Sequence, residues 1–134
     1  MIQASSDMYS IKRDTSKNRV IILFDGARDY NVDVFFQEFM EAANFAKCAR
    51  PHFDALVDHS RTNILPQERT KHSEAMALWC LENGLRRSAN IVSSAVMRMQ
   101  LKRVTDSNPH FAYFQSREDA EAWLDAEAGL PKSA

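Results

Sequence analysis

His52-Phe53-Asp54-Ala55-Leu56-Val57-Asp58-His59-Ser60 is the stretch that decides the fold. Its centre, Ala55-Leu56-Val57, is apolar without alternation and is closed at once by charged and hydroxyl residues. A short apolar run between two helical patterns reads as a buried strand of a parallel sheet. In open parallel sheets the working groups gather at the carboxyl ends of the strands. Here that end carries Asp58, His59 and Ser60.

Outward from this strand the remaining elements fall into place. Residues 8–13 alternate loosely, and residues 20–24 are solidly apolar. Asp14-Thr15-Ser16-Lys17-Asn18 between them supplies turn formers, so the pair reads as a hairpin whose first strand suits a sheet edge. Asn31 is a good N-cap for a helix on which Val32, Phe35, Phe36, Phe39, Ala43 and Ala46 recur at helical spacing. Pro51 ends that helix.

Beyond the central strand, Pro66 opens a helix that should run to about Glu82 and stop at Asn83-Gly84. Its first two turns are polar; Ala75, Met76, Trp79 and Cys80 are expected to be buried. A strand over residues 86–93, a helix capped by Ser94 and buried through Val96, Met97, Leu101 and Val104, and an aromatic strand over 111–114 follow. Asp106-Ser107-Asn108-Pro109 is a turn cluster before that strand. Ser116 caps the last helix, with Ala120, Trp123 and Leu124 inward, and Gly129-Leu130-Pro131 reads as its stop. The order β-β-α-β-α-β-α-β-α predicts an α/β domain: a mostly parallel five-stranded sheet with one antiparallel strand, flanked by four helices.

Composition narrows the function classes. A chain of 134 residues with 45% hydrophobic and 26% charged residues fits one ordinary globular domain. The net charge of −1 gives no field for nucleic acid. No leader pattern and no apolar run of membrane-spanning length occurs, and Cys48 and Cys80 lack metal-ligand spacing. These features predict a cytoplasmic protein with reduced thiols. The three glycines, Gly26, Gly84 and Gly129, form no phosphate loop, and His52, His59, His72 and His110 show no ligand pairing. No cofactor and no metal is expected.

Once these elements are placed, the chain resembles the STAS domains, in particular the SpoIIAA-like family of small bacterial proteins. The residues carrying the likeness are Leu56-Val57-Asp58-His59-Ser60, the long helix after them, and Phe114-Gln115-Ser116-Arg117-Glu118-Asp119-Ala120-Glu121-Ala122-Trp123-Leu124. The resemblance implies the same α/β fold and a non-enzymatic regulatory module that binds another protein. STAS antagonists carry a phosphorylatable serine or threonine between an aspartate and a glycine after this strand. Ser60-Arg61-Thr62-Asn63-Ile64-Leu65-Pro66 has neither neighbour, and Thr62 is nearest in position.

Five site expectations follow. Asp58, His59, Ser60, Arg61, Thr62 and Asn63 are expected to form a partner surface together with the polar start of the next helix. Consecutive strand residues point to opposite faces, so Asp58, His59 and Ser60 are not expected to align as a catalytic triad. Arg86, Arg87, Arg98, Lys102 and Arg103 form a locally basic region suited to an anion, with a solvated helix face as the bland alternative. Phe45, displaced from the face shared by Phe35 and Phe39, predicts a homodimer through this helix or the opening edge strand. A small-ligand carrier with an apolar pocket beside Trp79 and a basic mouth is the other reading, since STAS folds are similar to lipid-carrying Sec14-type domains.

Overall fold

The alternation of β4 sets the layers. Within Phe53–Asp58, Phe53, Ala55 and Val57 turn to one side and Leu56 to the other, and both sides are buried. A strand covered twice has no polar face to show, which is why its sequence lacks alternation. The computed structural model describes residues 2–5, 9–25, 31–61, 67–105 and 108–126, and the expected features at Gly26, Thr62, Asn63, Pro66, Asp106-Ser107 and Gly129-Leu130-Pro131 lie outside them.

The elements are β1 (Ile2–Ser5), β2 (Tyr9–Asp14), β3 (Arg19–Phe24), α1 (Val32–Ala49), β4 (Phe53–Asp58), α2 (Gln67–Glu82), β5 (Leu85–Ile91), α3 (Ala95–Thr105), β6 (Phe111–Phe114) and α4 (Arg117–Asp125). The five strands and four helices expected from the sequence are present in the expected order. In addition β1 pairs antiparallel with β2, so β2 is covered and β1 is the edge. Strands β2 and β3 are antiparallel, and β3, β4, β5 and β6 run parallel.

Strand order follows sequence order from β1 to β6. Each parallel crossover therefore steps the same way, and right-handed connections put α1, α2 and α3 on one face. Ile11, Val20, Ile22, Phe35, Phe39 and Phe53 fill the layer beneath α1. Leu56, Ala89 and Ile91 face α4 through Ala120 and Leu124 on the other side. A sheet that never reverses its order has no switch-point crevice.

Local chemistry fixes the ends. Asn31 Oδ1 accepts from the N–H groups of Asp33 and Val34, both at 3.1 Å, and opens α1. Ser116 Oγ accepts from Asp119 N–H at 3.2 Å and opens α4. Asn18 at φ 52° and Gly84 at φ 96° take the left-handed turns after β2 and α2.

Two burial expectations are corrected. Val96 is 57% exposed, because α3 turns Met97 and Leu101 inward and Val96 lies beside that stripe. In the second half of α2 only Cys80 is fully buried, Met76 and Trp79 are half-covered, and Ala75 and Leu78 are exposed. Among the described residues no helix is long and apolar enough to cross a membrane.

Candidate functional site

The same alternation that buries β4 decides where His59 goes. Continuing the series Phe53, Ala55, Val57, the next inward position is residue 59. The His59 N–H donates to Ile91 O at 2.8 Å, extending the β4–β5 ladder past the strand end and holding the side chain in that direction. The imidazole is 8% exposed and stacks on Phe24, ring centroids 5.1 Å apart. Its side chain also hydrogen-bonds to Asn90. Burial drives the imidazole pKa down to about 4, against the opposing pull of the Asp58 carboxylate and the Asn90 hydrogen bond. At neutral pH His59 is therefore uncharged.

This ring lines a cavity of about 110 Å³ between the sheet and the helix layer. Ile22, Phe35, Phe39, Val57, Met76 and Cys80 give it carbon and sulfur walls. Its polar groups are placed around them. His72 and Ser73 come from α2, and Asn90, Thr105 and Tyr113 from the β5, α3 and β6 side. The Tyr113 hydroxyl donates to Leu101 O at 3.0 Å and shares a 2.7 Å hydrogen bond with Thr105 Oγ1. Asn90 Nδ2 lies 3.3 Å from Ser88 O, Ser88 Oγ and Ala112 O. Trp79, expected beside the pocket, packs on Phe36 and on the cavity-lining Phe39. Among the described residues no lysine or arginine lines the cavity, which departs from the expected basic mouth.

Burial pushes the Cys80 thiol up to about 12, so it stays protonated and a poor nucleophile. An imidazole titrating at about 4 is a weak general base at neutral pH. As expected, Asp58, His59 and Ser60 do not align: Asp58 Oδ1 accepts from Ser60 N–H at 2.8 Å and closes the turn, while His59 points into the cavity.

The expected partner surface accordingly divides. Ser60 and Arg61 are exposed, and Arg61 Nη1 pairs with Asp25 Oδ2 at 3.0 Å. Asp58 is half-buried and serves the turn. His59 is not on the surface, because strand alternation turns it inward.

The expected anion site divides as well. Phe53 pairs with Leu85 but Asp54 pairs with Arg87, so Arg86 is the extra residue of a β-bulge. The bulge sends Arg86 and Arg87 both toward the end of α4. Arg86 Nε and Nη2 grip Asp54, each at 2.6 Å, and Nη2 also donates to Leu124 O. Arg87 is buried, donates to Trp123 O and Ala126 O, and lies 4.6 Å from the centroid of the Trp123 ring. Both arginines thus serve the unsatisfied carbonyls of a helix C-terminus. Arg98, Lys102 and Arg103 ride on α3, Lys102 and Arg103 exposed. The five cations do not make one patch.

Sequence reasoning missed Phe24, Asn90 and Tyr113 as cavity residues. Phe24 and Tyr113 are ordinary aromatic types and Asn90 is a buried polar residue of β5, and only the packing of α1, α2 and α3 on the sheet brings them together. No family model, curated protein or solved structure matches this chain.

Proposed function

We propose that the protein is a non-enzymatic binding module that holds a compact, largely apolar ligand in the cavity beneath α1 and α2. The observation that carries this reading is a cavity of about 110 Å³ with apolar walls and a neutral, buried His59. An apolar protein cavity of about 150 Å³ is known to admit benzene. A ligand of one small ring or a short branched chain matches this volume, and a full-length fatty acid does not. His59, Asn90, His72 and Ser73 offer such a ligand polar company at its edge. Thermal unfolding in the presence of phenol tests the reading. Phenol should raise the melting temperature of the wild type and leave Ala77→Leu, which fills the cavity, unmoved. Equal shifts for both proteins would reject the site.

A second reading, a STAS-like protein-interaction module of the cytoplasm that forms a homodimer, is supported by the outer face of α1. Val34 and Phe45 are 48% and 54% exposed, and eleven residues bring them round to the same side of the helix. The free thiols of Cys48 and Cys80 suit a reducing compartment.

A further inference from the structure

At the amino-terminal end of the parallel strands lies a second cleft, of about 540 Å³. It is bounded by the β2–β3 turn, the start of β4 and the end of α4. Lys17, Arg19, Arg50 and Arg86 line it together with the carboxylates of Asp54 and Asp125, which leaves an excess of two positive charges.

Internal pairing does not exhaust these donors. Arg86 is committed to Asp54. Arg19 is 3% exposed; its Nη2 reaches Asp125 at 2.7 Å and stands 4.0 Å from Asp54. Its buried Nε meets no acceptor among the described residues, and neither does the buried His52 Nδ1 on the same wall. Arg50 makes one long contact, 3.3 Å from Nη2 to Ser16 O, and exposed Lys17 reaches Asp125 at 3.2 Å.

A buried guanidinium N–H without an acceptor is costly, because it has given up water for nothing. Guanidinium forks match the geometry of phosphate oxygens. We propose that this cleft binds a phosphate group, with Arg19 as the buried anchor and Arg50 and Lys17 as outer clamps. The charge selects phosphate over carboxylate. Asp125 already supplies one carboxylate here, and the remaining excess of two positive charges is balanced by a dianion. The cleft is separate from the apolar cavity, so the two readings stand or fall apart.

Inorganic phosphate titrated at constant ionic strength, with the Arg19 Nε–Hε resonance followed by nitrogen-15 NMR, tests the proposal. A saturable shift of that resonance is expected, with none from chloride. Arg50→Gln, at an exposed position, should weaken binding about tenfold, the loss expected for one charge-assisted contact. Glycerol 3-phosphate run in parallel separates the sources: tighter binding than inorganic phosphate marks a phosphoester ligand, and equal binding marks the free ion. An Arg19 resonance that does not move, a shift that never saturates, or an unchanged affinity in Arg50→Gln would overturn the site.

Discussion

The imidazole of His59 lies nearly parallel to the ring of Phe24, the planes inclined by 19° and the centroids 5.1 Å apart. Phe24 ends β3 and His59 follows β4, so the stack ties two parallel strands together at their carboxyl ends. It also keeps water from one face of the imidazole, consistent with burial as the leading cause of its low pKa.

That burial makes stability depend on pH with a definite sign. Unfolded histidine titrates near ~6.5, while folded His59 titrates at about 4. Between these values the unfolded chain takes up a proton that the folded chain refuses. The contribution is whole above pH ~6.5 and is lost as pH falls toward ~4, about 3 kcal/mol in all. Urea unfolding at pH ~7 and ~4.5 should show wild type losing about 2–3 kcal/mol more than His59→Gln. Equal losses in the two proteins would mean that His59 is solvated.

Arg86 and Asp54 form a bidentate pair with both nitrogen–oxygen distances at 2.6 Å and Asp54 only 4% exposed. Removing one partner of a buried pair strands the other, at a cost of about 3–5 kcal/mol. Arg86→Ala should therefore lower the unfolding free energy by that amount. Lys102→Ala, at an exposed position of α3, should change it by less than about 0.5 kcal/mol. Similar effects of the two substitutions would contradict the division of the basic residues.

The uneven legibility of the sequence has a physical basis in these same residues. The β4 run, the Asn31 and Ser116 caps and Gly84 act through neighbours in the chain, so their signals are local and were readable. Strand β1 was not: Ile2-Gln3-Ala4-Ser5 is four residues long and takes its structure from pairing with β2. Asp58-His59-Ser60 was legible as a place but not as a direction. Its division into a turn contact and an inward imidazole follows from register against β5. The basic residues looked like one cluster because they are close in sequence. A bulge that forms only when β5 meets β4 separates Arg86 and Arg87 from the α3 cations. An apolar pocket could be expected but its lining could not be read, since most of its walls are core residues and its shape comes from packing.

Gly84 provides a test of the α2–β5 junction. A Cβ built there would stand 2.5 Å from the Pro51 carbonyl oxygen, and φ is +96°. The obstacle is backbone, so no rotamer relieves it. Gly84→Ala should cost about 3 kcal/mol by denaturant unfolding. A neutral result would show that the turn relaxes.

The exposed side of α1 is tested by solution mass. Phe45 is partly covered by Arg13, whose guanidinium carbon stands 4.5 Å from the ring centroid, yet it remains 54% exposed. Light scattering should report a concentration-dependent dimer that Phe45→Glu dissociates without lowering the melting temperature. A monomer at every concentration, or a dimer unmoved by Phe45→Glu, would remove this face as the interface.

Intermolecular NOE spectroscopy with phenol tests most directly whether the space beneath α1 and α2 is a ligand site. The phenol ring protons should show cross-peaks to the methyl groups of Ala55, Val57 and Met76, the walls of the cavity beside His59. Those cross-peaks should vanish in Ala77→Leu. Cross-peaks confined to exposed Leu78 and Met99, or none at saturating phenol, would contradict the account.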